Sequence, residues 1–549
     1  MTALMNSQCI SFREIPQTTK LFTSFLENFG HVASYYSHPP TEAGIDAASR
    51  EIAFDPSVRR RVVEVLRSQN RRFDSDAATK SSLDRLAAGA AAIVTGQQVG
   101  LFSGPAFTLH KAISVLRCAE EATRRGIDAV PVFWLATEDH DLAEVNHSFW
   151  NTRNGLVRYD LPAREEDANR RVGEVILGNG IDGLVEAATR GVEGAFADEI
   201  ANALRESYAP GETYGSAFGK LMARLFAGRG IIFMDPLDSE LHRLAATVYQ
   251  RALDQDDSLR EALLRRSADL DRAGFHAQVK VTHEMTLLFC NVDGRRQPLR
   301  SHNGKLSAGE AAFSREEVLE WMERAPEDFT PNALLRPVVQ DTLLPTAAYI
   351  GGPAEIAYMA QVNVVYDRLL GRMPAILPRA SFTVVEPPVA NLLRKYGLEV
   401  RDVFGGRQQL RGKMERKSLP PDLALHFETD EKTVHRLLKN YESPLDQLDP
   451  SLRGALRLAE RKMLYQFGKL KGKAARAENF RTGVLDRHER ILLDALYPNR
   501  GLQERSLCPL PFLALYGADF LDDLAGVSPA PGSIETSLCA QQHHIVIMQ

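Results

Sequence analysis

The chain has 549 residues, 44% hydrophobic and 25% charged, with 66 Lys and Arg against 71 Asp and Glu for a net charge of −5. That composition excludes a wholly disordered chain, and the near balance of charge argues against a dedicated nucleic-acid binder. The longest apolar run, Leu86 to Val94, holds nine residues, well short of the ~20 that a spanning helix needs, so no membrane role is expected.

The opening residues lack the basic and apolar stretches of a signal peptide, and a cytoplasmic location is expected. No two of the five cysteines lie closer than 31 positions; without a C-x-x-C pair there is neither a zinc ribbon nor a thioredoxin-type motif, and scattered single thiols suit a reducing compartment. Residues 1–82 read as a mostly helical segment. Ala90 to Val94 is a short apolar run stopping at Thr95-Gly96, which predicts a buried strand and a turn. A helical pattern from Phe107 to about Arg125, closed by Gly126, leads to a second apolar strand, Ala129 to Leu135. Strand, glycine loop, helix and strand make a βαβ unit with a parallel sheet. Three further strand candidates follow at Gly230–Met234, Ala347–Ile350 and Met373–Leu377. The fold class is α/β, a doubly wound parallel core in three parts (83–147, 229–254, 339–388) interrupted by insertions at 148–228 and 255–338; the second has an alternating segment, Ala277 to Val292.

A helical coiled-coil region is expected over 389–497. Its Ser451–Arg481 stretch carries nine Lys and Arg against two Glu, and its apolar residues from Leu452 to Ala474 recur every three or four positions. Val484–Leu496 is expected to return along it as an antiparallel hairpin, with a kink at Gly468 and Gly472 where glycine weakens a helix. The stripe is longer than that returning helix can cover, which predicts a homodimer through the coiled coil. The last segment, 498–549, returns to the core, with His543 to Ile547 as a strand.

Four motifs carry chemistry. Thr95, Gly96, Gln97, Gln98, Gly100, Phe102 and Gly104 form a loop between a strand end and a helix, where open α/β sheets bind ligands and backbone N–H groups approach phosphates. The spacing matches neither a dinucleotide fingerprint nor a Walker A loop; a tight crossover turn is the competing reading. Thr108, His110 and Lys111 open the next helix. Cations there oppose the helix dipole, which points to an external anion offsetting them. Trp134 leads into Glu138, Asp139, His140 and Asp141. Carboxylates around a histidine favour imidazolium and tune a general base. A divalent cation on Asp139, His140 and Asp141 is the competing reading, and none is expected with no cysteine or second histidine at ligand spacing; a solvated acidic turn is the third. Gly351 and Gly352 open another helix with Glu355 in its first turn, then Tyr358 and Gln361, a second seat for an anion.

These residues carry a resemblance. T-G-Q-Q-x-G-L-F-S-G-P-x-F-T-x-H-K-A, P-V-F-W-L-A-T-E-D-H-D-x-x-E and A-Y-I-G-G-P-A-E-I-A-Y-x-A-Q resemble the cysteine-adding enzymes of bacillithiol biosynthesis, the BshC family, as do L-P-R-A-S at 377–381, containing Arg379, and L-Y-P-N-R-G-L-Q-E-R at 496–505. Ala354 and Met359 stand where the family motif leads one to expect Gly and Trp. The resemblance implies a Rossmann core, two connecting-peptide insertions, a dimerising coiled coil, and attachment of L-cysteine to the amine of glucosaminyl malate. Carboxylate activation points to ATP. His110 and Lys111 are expected on the activated acyl group or phosphate, Asp139, His140 and Asp141 on the sugar amine, and Gly351, Gly352, Glu355, Tyr358 and Gln361 on the opposite wall. A metal-dependent nucleotidyltransferase and a non-catalytic coiled-coil scaffold are the other classes weighed.

Overall fold

The structure, a computed structural model, describes residues 6–302, 304–415, 417, 419–527 and 543–548. The parts of the terminal segments that fall on 1–5, 528–542 and 549 lie outside the described residues. One compact unit runs to Thr383 and resumes at Glu504, and a second spans Val384–Gln503.

In the first unit, β1 (Ala91–Gln97) is buried along all but its last residue. Strands covered on both faces need no polar alternation, which is why the run is uninterrupted. Helix α1 (Phe107–Arg124) follows, and its Val115, Cys118, Ala119 and Ala122 share one core cluster with Ile93 and Ala129. That three- and four-residue spacing is the face a helix lays on a sheet. Then come β2 (Ala129–Leu135), wholly buried, and β3 (Ile232–Met234). The insertion contributes β4 (Met285–Val292) and β5 (Arg295–His302). The core resumes with α2 (Arg336–Leu343), β6 (Thr346–Gly351), α3 (Pro353–Leu369) and β7 (Ala375–Pro378).

The core sheet has the order β7-β6-β1-β2-β3, every pairing parallel. All five strand candidates are in it. From β1 the chain steps to β2 and β3, then returns to the other side of β1 at β6. Connections therefore diverge between β1 and β6, and a crevice opens at the carboxyl ends of the strands.

The 148–228 insertion starts from a hairpin, His147–Thr152 against Gly155–Asp160. The later insertion folds as a five-stranded antiparallel sheet. Its β4 and β5 are joined by Asp293-Gly294, both at positive φ (52° and 75°), the two-residue turn that matches hairpin twist. The alternation read from Ala277 becomes a strand only from Met285. Cys118, Cys290 and Cys508 are free and buried, whereas Cys9 is disulfide-bonded, a departure from five single thiols.

The second unit is helical, with α4 (Pro421–Lys439), α5 (Leu452–Thr482) and α6 (Val484–Leu496). Helix α5 continues through Gly468 and Gly472. Its packing corrects the hairpin expected from periodicity. The buried contact is with α4, where Phe427 and Ala475 meet beneath Ala424, Phe467 and Ala474. His435 pairs with Glu460, and Glu431 with Lys471, so the two helices run antiparallel. Helix α6 has other partners: its buried Glu489 takes Arg407 at 3.2 Å and Arg411 at 3.0 Å from the helix Gly406–Glu415, and the Tyr396 hydroxyl lies 2.7 Å from His488 Nδ1. Among the described residues no helix is long and apolar enough to cross a membrane.

Candidate active site

At the carboxyl ends of β1, β2 and β6 lies a cavity of about 840 Å³. Gly96, Gln97 and Gln98 come from the end of β1, Trp134 and Glu138 from β2 and its turn, and Gly352 and Glu355 from the start of α3. The insertion supplies the facing wall with Leu288, Phe289, Arg296 and Arg300. Asp139, His140, Tyr358, Lys111 and Arg379 also line it.

The cations that open α1 have their anions inside the chain. Lys111 Nζ donates to the Gly96 carbonyl at 2.7 Å and to Gln97 Oε1 at 2.8 Å, and pairs with Glu355 at 2.5 Å. A lysine ammonium has three donors, and all three are taken. Lys111 thus braces the end of β1 against the first turn of α3, where an external phosphate was expected. Glu355 also accepts from the Gly352 amide at 2.8 Å and the Tyr349 hydroxyl at 2.5 Å. His110 does not line the cavity. Its Nδ1 lies 3.0 Å from Glu504, whose carboxylate also takes Arg379 in two bonds of 2.9 and 2.7 Å. Burial works against that charge, yet Arg379 and His110 hold the Glu504 carboxyl well below the usual range.

The glycine loop divides in two. Gly96, Gln97 and Gln98 face the cavity. Gly100, Phe102, Gly104 and Thr108 do not, and the expected phosphate cradle is filled by protein. A Cβ on Gly100 would lie 2.9 Å from the Gly104 Cα. Phe102 sits with φ 54° between the rings of Tyr208 and Trp150, at 5.1 and 6.0 Å. Thr95 is buried and ties β1 to β6 through the Ile350 carbonyl at 2.8 Å.

In the acidic cluster, Asp139 accepts from Gln98 Nε2 at 2.7 Å and from the His140 amide at 2.7 Å. Burial alone would raise its pKa, but hydrogen bonds from His140 and Gln98 outweigh that and hold it well below the usual range. Asp141 faces away and caps the short helix Leu142–Val145 by accepting from the Glu144 amide at 3.2 Å. Of the carboxylates expected around His140, Asp139 lies against the ring, with Oδ1 3.5 Å from Nδ1, and an arginine joins it there. Arg296 Nη1 lies 2.9 Å from His140 Nδ1, and Arg296 is itself held by Thr330 Oγ1 at 2.8 Å, the Pro331 carbonyl at 2.9 Å and the Phe289 ring at 3.7 Å. This face of the ring thus sits between a guanidinium and a carboxylate and leaves Nε2 for other partners. Glu138 is 6% exposed, and burial pushes its carboxyl up to about 7 against the pull of Arg296, Arg171 and Arg336. Among the described residues no group of three or more His, Cys, Asp or Glu is placed to hold a metal ion.

Opposite, Tyr358 accepts from Arg336 Nη2 at 2.7 Å and lines the cavity. Gly351 and Gln361 do not. Gln361 is buried and fastens the loop before β4, accepting from the Val279 amide at 2.8 Å and donating to its carbonyl at 2.9 Å. The residues that sequence reasoning passed over are Arg296, Arg300, Arg336, Arg505 and Phe289. Only Arg505 and its neighbour Glu504 stood in a quoted motif.

A family model described as the bacillithiol biosynthesis BshC N-terminal Rossmann-like domain matches residues 5–380, and one described as the BshC C-terminal coiled-coil domain matches 382–531. The chain is similar to proteins named "Putative cysteine ligase BshC". It is 41% identical to that of Koribacter versatilis over 96% of this chain and 99% of the relative. It is 37% identical to that of Solibacter usitatus (94% and 96%), and 28% to that of Bacillus cytotoxicus (91% and 94%).

Proposed function

Because the chain belongs to the BshC family of bacillithiol biosynthesis, we propose that it joins the carboxyl of L-cysteine to the amine of glucosaminyl malate as an amide. The family is one of ligases, so the chain is an enzyme. The observation that carries the finer reading is the cavity itself. A carboxyl raised to about 7 stands beside a wall of arginines, among them Arg296 and Arg300. An amide-forming site needs a proton acceptor for an ammonium, and arginines suit the two carboxylates of a malyl group.

The acyl carbon of cysteine needs activation, and ATP is the proposed source. With the Gly100–Thr108 half of the loop filled by protein, the groups left for a phosphate are the backbone at Gly96–Gln98 and at Gly352–Glu355. The proposed partners are these small molecules and a second copy of the chain; neither a nucleic acid nor a membrane is proposed, and the proposed location is the cytoplasm. The second copy is supported by apolar residues exposed on α5, with Met463 at 48% and Leu470 at 57%.

The experiment is incubation of the purified protein with glucosaminyl malate and cysteine, with and without ATP, read by mass. Formation of the cysteinyl amide only with ATP is expected. No amide under either condition would overturn the reading.

A further inference from the structure

Glu138 stands on a turn fixed from both sides. Thr137 donates to Asp235 Oδ1 at 2.5 Å and accepts through its carbonyl from the Gly173 amide at 2.9 Å, while the Asp139 carbonyl takes the Val172 amide at 2.6 Å. A Cβ on Gly173 would lie 2.4 Å from the Thr137 Cβ, so the turn and the 172–174 segment are in direct contact. Between these anchors the Glu138 side chain is 6% exposed and lines the cavity. No hydrogen bond or ion pair from a described residue reaches its carboxylate.

Buried carboxylates are ordinarily paired. The charged groups around this one are committed elsewhere. Arg296 of β5 is spent on His140, Thr330 and Pro331. Arg171 is spent on Glu174 and the Glu327 carbonyl. Arg336 of α2 donates to Tyr358 and Gln340, and Asp235 past β3 takes Thr137. Tyr249, on the helix Ser239–Asp254, completes the surroundings. Held in place, buried and without a partner among the described residues, this side chain faces the cavity as an acceptor for a donor that arrives with the substrate.

We infer that Glu138 is the general base that takes the proton from the amine nucleophile, a role the sequence reading assigned to His140. The inference rests on the ligase reading. The substrate ammonium gives one proton to the Glu138 carboxylate, leaving an amine and a carboxylic acid. The freed lone pair forms the C–N bond at the acyl carbon of a cysteine activated as an acyl phosphate or similar mixed anhydride. The bond from that carbon to the leaving oxygen breaks with its electron pair, and that oxygen takes the second nitrogen proton. Burial has already placed the acid between ammonium and ordinary carboxylate in affinity for the proton, which is where a base working near neutral pH is most effective.

Glu138→Gln keeps the shape and removes the base. In wild type, kcat should rise with pH through about 7 to a plateau. In Glu138→Gln, kcat should fall roughly 10²- to 10⁴-fold with KM for glucosaminyl malate little changed and that limb gone. Glu138→Asp should restore part of the rate with a shifted limb. A Glu138→Gln enzyme at near wild-type kcat with the same limb overturns the base assignment. Absence of product from wild type overturns the ligase reading instead. An isotope-edited infrared titration of wild type minus Glu138→Gln needs no turnover, and a Glu138 carboxyl that ionises in the ordinary range of 4 to 5 would also overturn the inference.

Discussion

Glu138 and Glu504 are both buried carboxylates, and they pull stability in opposite directions with pH. For Glu138 the folded pKa lies above the unfolded one, so the native state binds more protons between about 4.5 and about 7, and stability falls as pH rises through that window. At roughly 1.4 kcal/mol per pH unit the full effect is roughly 3 kcal/mol. Glu138→Gln should therefore unfold at about the same denaturant midpoint as wild type at pH 5 and at a clearly higher one at pH 8. Equal midpoints at both would mean the carboxyl is not held up by burial. Glu504 is held down by Arg379 and His110, so its contribution is present above the ordinary carboxylate pKa and is lost as pH falls. Glu504→Gln leaves Arg379 facing a neutral amide in a dry site, and a loss of roughly 3–5 kcal/mol is expected at pH 7, measured by chemical denaturation. His140→Ala is expected to lose activity while its thermal midpoint stays near wild type. With Nδ1 held between Arg296 and Asp139, Nε2 is the nitrogen left to meet substrate, and unchanged turnover would remove that role.

At the scale of elements, the glycine loop is a packed turn joining β1 to α1, and its tolerance is set by sterics. Gly100→Ala puts a methyl 2.9 Å from the Gly104 Cα, backbone that has nowhere to move. Overpacking of this kind costs roughly 1–3 kcal/mol, and a urea midpoint that does not shift would show that the turn relaxes. The core strands were legible because doubly covered strands appear as apolar runs of four to seven residues, most of them closed by Gly or Pro. The helical hairpin misled because periodicity marks a face and says nothing about which helix covers it; Glu489, drawn to Arg407 and Arg411, turns α6 to other neighbours. Motifs at strand ends located Gln98, Asp139, His140, Glu355 and Tyr358 in one cavity. They misassigned His110, whose counter-charge lies 394 residues away, and missed Arg296, because one arginine on an alternating strand leaves no spacing to recognise.

At the scale of the whole molecule, the exposed side of α5 should decide assembly. Met463 and Leu470 lie seven residues apart on one face and are about half exposed. Replacing both with Glu should convert a dimer into a monomer in sedimentation equilibrium, with helicity unchanged; a variant that still sediments as a dimer would move the interface elsewhere.

The Glu504 network also has a bearing on how the chain is made. Arg379 and His110 leave the ribosome long before Glu504 does, and until it arrives two buried basic side chains lack their shared carboxylate. The first unit cannot close its core in step with translation. Closure is expected to await residues that follow the entire helical unit. A message cut short at residue 503 should therefore yield a protein that proteases clear quickly, however complete its Rossmann strands.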